Sequence, residues 1–368
     1  MQRHLAFFVP SLAGGGAERV VLTLANYFAA QGHTVDLVLS RGAGAYEKEL
    51  HPGVEVFLLD TPRRILATPK LAHYLRTRRP EAMLSTINNF AAVLAKRWAR
   101  VPTRIVIREA TTPSRALQAK QISKKGALVT RWGIRWLYPH ADAVIAVSRG
   151  VAHDLQQLAP IHDSKLHVIY NPVLSDELLR KANAPLEHEW FQPDQPPVVL
   201  AAGRLIPLKG FDTLLQAFAQ VVQTVDARLV ILGEGDDRSR LTQIAQMLDI
   251  EARIDLPGFD PNPFRYMRRA SVFVLSSRYE GLPNVLIQAM ACGCPVVSTN
   301  CVSGPDEILD GGKYGELVPV DDVDAMAAAI RRVLGGERKT VPEAWLEQFR
   351  VEVAAGRYLQ VMLPHRAS

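Results

Sequence analysis

The chain has 368 residues, about two domains by length, and its 48% hydrophobic and 22% charged residues are typical of a soluble protein. No run approaches the roughly 18 apolar residues of a membrane span, and the amino terminus lacks the long apolar region of a signal peptide. The cysteines, Cys292, Cys294 and Cys301, are odd in number. This argues against a disulfide framework and favours small buried thiols in a reducing cytoplasm.

The net charge of +6 is distributed unevenly along the chain. Residues 1–172 carry 23 Lys+Arg against 11 Asp+Glu, a net charge of +12, whereas residues 173–368 carry 20 against 26, a net charge of −6. Residues 63–135 alone hold 17 basic and two acidic residues, a local charge of +15. A solvated surface explains any single arginine, but the whole block favours a polyanionic partner: nucleic acid, an anionic membrane or a phosphorylated substrate.

Strand-like and helical patterns alternate from the amino terminus onward. The first six apolar runs lie at residues 4–10, 34–40, 82–86, 104–108, 143–148 and 166–170. Amphipathic helices are predicted between them, most clearly over residues 17–32, and a Pro-rich stretch then begins at residue 171. Such a stretch with weak periodicity is typical of a linker.

The pattern restarts after the linker. Five further runs lie at residues 198–203, 227–233, 252–258, 271–277 and 295–299. Continuous Val, Ile and Leu runs separated by helices predict parallel sheets that are covered on both faces. We therefore expect an α/β protein with two doubly wound Rossmann-like domains, whose sheets face an inter-domain cleft. The predicted boundaries are 1–172, a linker over 173–197, a second domain over 198–340, and a carboxyl-terminal helix within 341–368 that packs back toward the first domain.

Glycine turns follow several strands. Gly14, Gly15 and Gly16 lead into a helix, where free N–H groups and the helix dipole favour an anion. Arg19 stands where a dinucleotide fingerprint needs glycine, so a nicotinamide cofactor is disfavoured. A tight turn without a ligand is the alternative for this motif. Farther along, Gly203, Arg204 and Lys209 form a cationic turn suited to a diphosphate, and Gly233 and Gly235 flank Glu234, as expected where a backbone approaches a ligand.

The stretch SSRYEGLPNVLIQAMACGCPVV places Glu280 at the end of a strand and begins a helix near Asn284. Together with GGGAERV, GRLIPLKGFDTLLQAF and LGEGDDR, it resembles glycosyltransferase family 4, and these motifs span the chain in the family's order. The resemblance implies the GT-B fold and a retaining, nucleotide-sugar-dependent transferase.

The resemblance also implies roles for individual residues. Arg204 and Lys209 would neutralise the donor diphosphate without metal. Glu280, the first acid of the family's E-x7-E motif, would hold hydroxyls of the donor sugar, and these three residues form the implied catalytic set. The amides of Gly281 and Leu282 would face the sugar and the phosphates. The implied donor-binding residues are Gly15, Gly16, Gly203, Arg204, Lys209, Gly233, Glu234, Glu280, Gly281, Leu282, Asn284, Val285 and Gln288.

The sequence departs from the family pattern at two places. Gln288 stands where the second acid of E-x7-E is usual; an amide also accepts bonds from ribose hydroxyls, though more weakly than a carboxylate. Arg108 and Glu109 stand where many relatives have a histidine. Glu109 either orients the acceptor or pairs with Arg108, and the second interpretation is favoured here. The candidate acceptor residues are Arg108, Glu109 and Glu18.

The motif formed by Asp322, Val323 and Asp324 matches the metal-binding DxD of another glycosyltransferase fold. It opens an apolar-periodic helix, where aspartates are good caps. We therefore expect a capping role, with no metal and no cofactor.

Cations and aromatic side chains are interleaved over residues 113–138. Trp132 and Trp136 share one helical face. Core packing explains the tryptophans alone, but a helix lying in a membrane surface explains the cations as well. The cations and their apolar neighbours are Lys120, Lys124, Lys125, Arg131 and Arg135 with Leu128, Trp132, Trp136 and Tyr138.

The predicted function is transfer from a UDP-hexose or UDP-N-acetylhexosamine to a polyprenyl-diphosphate-linked oligosaccharide or lipopolysaccharide. The predicted location is the inner face of a bacterial cytoplasmic membrane, where the protein would be a peripheral enzyme. A sugar-nucleotide epimerase of similar fold remains an alternative, as does a non-catalytic subunit of a transferase complex, although such a subunit would be expected to lose Glu280, Arg204 or Lys209. A nucleic-acid binder is disfavoured because no recognition helix or stacking motif is recognisable.

Overall fold

The computed structural model describes residues 2–42, 44, 46–61, 66–118 and 123–364. The chain divides into two compact units. The first comprises the chain up to Pro172 together with the segment from Gln348, and the second is Val173–Glu347.

The first unit is built on a parallel sheet of seven strands in the order β3-β2-β1-β4-β5-β6-β7. The strands are β1 (His4–Val9), β2 (Thr34–Leu39), β3 (Val54–Leu58), β4 (Ala82–Thr86), β5 (Arg104–Glu109), β6 (Ala143–Ala146) and β7 (Leu166–Val168). The helices that follow them are α1 (Gly16–Ala30), α2 (Ala67–Arg78), α3 (Asn89–Ala99), α4 (Pro113–Gln118), α5 (Lys124–Leu137) and α6 (Arg149–Leu158). The central strands are buried on both faces, which is why they are continuously apolar.

The second unit has six parallel strands in the order β10-β9-β8-β11-β12-β13. They are β8 (Val198–Ala202), β9 (Arg228–Leu232), β10 (Ile254–Gly258), β11 (Val272–Leu275), β12 (Val296–Thr299) and β13 (Glu316–Val318). The helices are α7 (Asp176–Ala182), α8 (Phe211–Val221), α9 (Arg238–Met247), α10 (Phe264–Met267), α11 (Asn284–Ala291), α12 (Pro305–Ile308), α13 (Val323–Leu334) and α14 (Glu343–Leu346). Residues 173–197, expected as a linker, lie in this unit and carry α7, which packs on α10.

The last helix, α15 (Val351–Met362), belongs to the first unit and contacts α1, β4 and β5. Its side chains Ala355, Tyr358 and Met362 are fully buried in the same core as Phe7 and Phe28. The core of the first unit is therefore assembled from both ends of its sequence.

The prediction of two parallel-sheet domains is confirmed, and the three cysteines are free and buried as expected. The predicted strands lacked the edge strand β3. This strand is short and largely exposed, so it has no continuous apolar run of the kind that reveals a covered strand. Among the residues that the structure describes, none of the helices combines the length and apolar character that crossing a bilayer requires.

Candidate active site

In the second unit, the strand order reverses between β8 and β11. These strands are neighbours in the sheet, while the strand that follows β8 in the chain, β9, lies on its other side. Ligands of doubly wound sheets bind beyond the carboxyl ends of the strands at such a reversal. The turn that carries Lys209 follows β8, and the turn that carries Glu280 follows β11. The fold therefore brings these two sequence-predicted residues together.

Lys209 and Glu280 form an ion pair. Lys209 Nζ donates to Glu280 Oε1 over 2.6 Å, and Ser277 Oγ donates to the same oxygen over 2.7 Å. The two charged side chains are only 19% and 13% exposed, so solvent screens the pair weakly. A largely buried, hydrogen-bonded carboxylate and ammonium in fixed positions can bind a polar, charged ligand with little reorganisation.

The two turns are joined through their backbones. Ser276 Oγ donates to the Lys209 carbonyl over 2.7 Å. Gly210, with φ of +61°, lies so close to β11 that a Cβ there would be 2.1 Å from the Ser276 carbonyl oxygen. Only glycine fits this contact, and it fixes where Lys209 projects.

The Gly233–Gly235 turn packs closely on the turn that follows β8. A Cβ on Gly233 would lie 1.9 Å from the Gly203 carbonyl oxygen, and one on Gly235 would lie 2.2 Å from that of Leu205. These glycines therefore allow the β8 and β9 turns to pack on each other, and the close approach of this turn to a ligand remains a prediction. Glu234 between them is exposed and paired with Arg238 at 3.0 Å, which lowers the pKa of its carboxyl through hydrogen bonding.

The remaining candidate donor-binding residues lie around the same sheet edge. Arg204 is exposed and forms no ion pair with another residue in the described part of the chain. Leu282 is buried, and the Gly281 carbonyl accepts a 2.8 Å bond from Ser303 Oγ. On α11, Asn284, Val285 and Gln288 are partly buried, and Asn284 begins the helix. Their contacts with a donor remain predictions.

In the first unit, a carboxylate of the protein itself occupies the anion site that was expected after β1. Glu18 Oε2 accepts bonds from the N–H groups of Gly14 and Gly15 over 2.9 and 2.7 Å. Ser11 Oγ donates to its other oxygen over 3.2 Å, and the Glu18 side chain is buried. The Gly15 N–H is thus engaged by Glu18, which acts as a capping-box carboxylate. Gly16 is the first residue of α1, and its contact with a donor remains a prediction.

Arg108, a candidate acceptor residue, is 1% exposed. Its guanidinium donates to Tyr358 Oη over 3.0 Å, to Thr86 Oγ1 over 3.3 Å and to Asn171 Oδ1 over 2.6 Å. It therefore stabilises the core and is not available to an acceptor. The favoured pairing of Arg108 with Glu109 was wrong, because consecutive residues of a strand point to opposite faces.

Glu109 is partly buried at the carboxyl end of β5. Tyr138 Oη donates to Oε2 over 2.8 Å, and Thr111 donates to Oε1 from its hydroxyl over 3.0 Å and from its N–H over 3.3 Å. Burial raises the pKa of the Glu109 carboxyl, and these hydrogen bonds oppose that rise. Sequence reasoning identified Glu109 but not its contact with Tyr138, and it also missed Ser277, which stands three residues before Glu280.

The apolar and basic residues of α5 are exposed. Leu128, Val129, Trp132 and Trp136 are 53% to 68% exposed, which rules out core packing for the tryptophans. Lys124, Lys125, Arg131 and Arg135 are also exposed, and none pairs with an acidic group among the described residues. Lys120 lies outside the described residues.

Asp322 caps α13, as predicted. Its Oδ1 accepts a 2.9 Å bond from the N–H of Ala325. Aspartates at a helix N-terminus satisfy free N–H groups and complement the helix dipole, so the DxD pattern is explained by local structure.

Comparisons with known proteins agree with this geometry. Residues 14–177 match the family described as Glycosyltransferase Family 4, and residues 185–346 match Glycosyl transferases group 1. The N-acetylgalactosamine-N,N'-diacetylbacillosaminyl-diphospho-undecaprenol 4-alpha-N-acetylgalactosaminyltransferase of Campylobacter jejuni is 31% identical over 351 residues, 91% of each chain. A lipopolysaccharide core biosynthesis glycosyltransferase of Rhizobium meliloti is 26% identical over 95% of this chain and 96% of its own.

Among solved structures, Anabaena HepE in complex with UDP is similar, with a TM-score of 0.75 and 21% identity over 98% of this chain and 99% of that one. At this identity the similarity concerns the fold. The chain belongs to glycosyltransferase family 4, and its two parallel-sheet domains form the GT-B fold of a glycosyltransferase.

Proposed function

We propose that the protein is a retaining transferase that moves a sugar from a UDP-sugar, a UDP-hexose or UDP-N-acetylhexosamine, to a membrane-associated, polyprenyl-diphosphate-linked glycan. The observation that carries this proposal is the Lys209–Glu280 pair at the strand-order reversal of the second unit, 2.6 Å apart and largely buried. A cation for the diphosphate and a carboxylate for the sugar hydroxyls lie side by side there. The Anabaena structure with UDP supports the choice of nucleotide.

In the proposed reaction, the bond between the anomeric carbon and the diphosphate oxygen breaks, and the acceptor oxygen bonds to that carbon on the same face. The acceptor proton passes to the leaving diphosphate. Lys209 and the exposed Arg204 stabilise the negative charge that develops on the diphosphate, without metal. Glu280 accepts hydrogen bonds from the donor sugar and orients it.

The acceptor is assigned to the first unit for two reasons. The Campylobacter relative, by its name, acts on a diphospho-undecaprenol-linked glycan. The exposed tryptophans and cations of α5 suit the surface of an anionic membrane, where such an acceptor resides. We therefore infer a peripheral location on the inner face of the cytoplasmic membrane.

The test is sugar transfer to undecaprenyl-diphosphate-linked glycans from a panel of UDP-sugars, with and without a metal chelator. Glu280→Gln is expected to reduce transfer about 100-fold or more while UDP affinity is kept, because the carboxylate is assigned to the sugar. Glu316→Gln is the matched control, since Glu316 is a carboxylate of the same unit that pairs with Lys339 at 2.6 Å. Unimpaired transfer by Glu280→Gln, strict metal dependence, or consumption of the UDP-sugar without an acceptor would contradict the proposal.

A further inference from the structure

A chain of buried hydrogen bonds crosses the first unit and ends on Glu109. Ser85 Oγ donates to Asn89 Oδ1 over 3.0 Å, Asn89 Nδ2 donates to Tyr138 Oη over 3.0 Å, and Tyr138 Oη donates to Glu109 Oε2 over 2.8 Å. The first three side chains are 0%, 4% and 3% exposed, whereas Glu109 is partly exposed. The chain thus begins in the core, and its one accessible member is a carboxylate.

The direction of each hydrogen bond in this chain is fixed. Asn89 Oδ1 accepts from Ser85, and Asn89 Nδ2 also donates to the Arg108 carbonyl over 3.4 Å, so the amide nitrogen must face Tyr138. The Tyr138 oxygen accepts from Asn89, and its single hydrogen therefore points to Glu109. Burial and the neighbouring Glu109 raise the pKa of the Tyr138 phenol, which keeps that hydrogen in place.

The turn between β4 and α3, which positions Asn89, is strained. Ile87 has φ of +69°, a conformation that β-branched residues rarely adopt, and the Asn88 N–H donates to the Thr86 carbonyl over 2.8 Å around it. Strain of this kind costs folding free energy and persists where the surrounding structure fixes it, commonly at functional sites. The strained turn starts α3 at Asn89 and directs its amide into the buried chain.

This chain of hydrogen bonds lies at the ligand-binding edge of its sheet. The strand order reverses between β1 and β4, and β5 is the next strand, so Glu109 lies beside the reversal. Arg115 on α4 and Arg149 at the start of α6 are charged groups on neighbouring elements, but Glu109 forms no ion pair with any described residue. Arg108 points to the other face of the sheet. A carboxylate held by neutral donors alone remains able to accept a further hydrogen bond.

We propose that Glu109 accepts a hydrogen bond from the acceptor's sugar hydroxyl during transfer, and that Tyr138 and Asn89 are positioning residues that hold its carboxylate. This rests on the proposed function, because it requires an acceptor on the first unit. Glu109 remains ionised throughout, and the hydroxyl proton leaves on the diphosphate as described above. The carboxylate would hold the acceptor hydroxyl in one orientation for its reaction.

Tyr138→Phe tests the positioning role. Removing one hydrogen bond to a carboxylate raises its pKa, so the acid limb of the pH profile of kcat/KM should move up by about one pH unit, with activity recovered at higher pH. The titration of the Glu109 carboxyl, followed by carbon NMR and assigned with Glu109→Gln, should move upward by the same amount. Thr111 is exposed, and its hydroxyl also donates to Glu109, so Thr111→Val should shift both titrations in the same direction if Tyr138→Phe folds poorly.

Tyr74→Phe is the matched control. The Tyr74 hydroxyl donates to the buried Asp36 carboxylate over 2.6 Å in the same unit, so the substitution removes the same type of bond away from Glu109. It should leave both titrations unchanged. A Tyr138→Phe variant with unshifted titrations, an equal shift in Tyr74→Phe, or full transfer by Glu109→Gln would overturn the inference. If Glu109→Gln retains transfer while Glu280→Gln loses it, the inference fails and the proposed function stands; no transfer by the natural protein would overturn both.

Discussion

At the scale of single residues, Lys209 forms an ion pair with Glu280 of the same chain. The same ammonium is the group that is proposed to bind the donor diphosphate. Its ammonium lies 2.6 Å from Glu280 Oε1 and is largely shielded from solvent. Each of these two charged side chains therefore keeps the other in position. Each would give up part of their mutual contact when the donor binds.

Lys209→Ala is expected to reduce turnover roughly 100-fold or more, the scale of losing one preorganised electrostatic contact. Lys96→Ala is the matched control: Lys96 pairs with Asp142 at 2.6 Å and is comparably shielded, but it belongs to the first unit and is not one of the assigned donor-binding residues. Steady-state kinetics and thermal unfolding of both variants separate catalysis from stability. Normal turnover in a folded Lys209→Ala variant would refute the assigned role.

Residues at strand ends were predictable, because the carboxyl ends of adjacent parallel strands meet at one edge of a sheet. For this reason the sequence alone predicts that Lys209 and Glu280 lie at the same edge of the sheet. The hydrogen bonds from the Gly14 and Gly15 N–H groups to Glu18 could also be predicted, since a glutamate three residues after a helix N-cap is the signature of a capping box. Arg108 was not predictable: its burial depends on Tyr358, 250 residues away in sequence.

At the scale of elements, α5 is a long helix that packs little of its surface into the core. Of its residues only Ile134 is buried, and the Trp132 and Trp136 rings, which are 5.4 Å apart and tilted by 42°, are exposed. Gly133 lets the helix approach α3, because a Cβ there would lie 2.6 Å from the Phe90 ring. The sequence shows that α5 is rich in basic and aromatic residues. The structure adds that its tryptophan side chains are exposed and so accessible to a membrane surface.

Reversing Lys124 and Lys125 to Glu is expected to release the protein from phosphatidylglycerol vesicles. Each cation near an anionic bilayer contributes about 1 kcal/mol, so replacing two cations by two anions should weaken binding on the order of 100-fold or more at low salt. Vesicle co-sedimentation measures this, together with UDP affinity, which should not change.

The charge-matched control for α5 reverses Lys313 and Arg338, two exposed cations of the second unit. This pair should leave vesicle binding intact. Equal binding of the natural protein to neutral and anionic vesicles, or equal losses in both double variants, would show that α5 does not dock on an anionic membrane.

At the scale of the whole molecule, the two units differ in how the chain forms them. The second unit is one continuous stretch, Val173–Glu347, whereas the first needs α15 in addition to its amino-terminal part. The sequence indicated a carboxyl-terminal helix, but not that Tyr358 would complete the hydrogen bonding of a buried guanidinium, since this depends on tertiary packing.

Removing the chain after Glu347 should therefore unfold the first unit and leave the second folded. Loss of buried Tyr358 and Met362 costs about 2–5 kcal/mol for each side chain, a large part of a typical domain's 5–15 kcal/mol. Calorimetry should show that one of two thermal transitions disappears. Tyr358→Phe is the milder variant, which keeps the ring and removes one acceptor of Arg108; two intact transitions in the truncated protein would contradict the expectation.

The return of α15 to the first unit has a consequence for synthesis on the ribosome. Domains usually fold in the order in which they emerge. Here the domain that emerges first lacks a core helix until the whole of the second unit has followed it, and Arg108 meanwhile lacks its Tyr358 partner. The nascent chain should therefore acquire a protease-resistant second unit before a protease-resistant first one. During that interval, the apolar surface that α15 covers is the part of the chain with the greatest need of a chaperone.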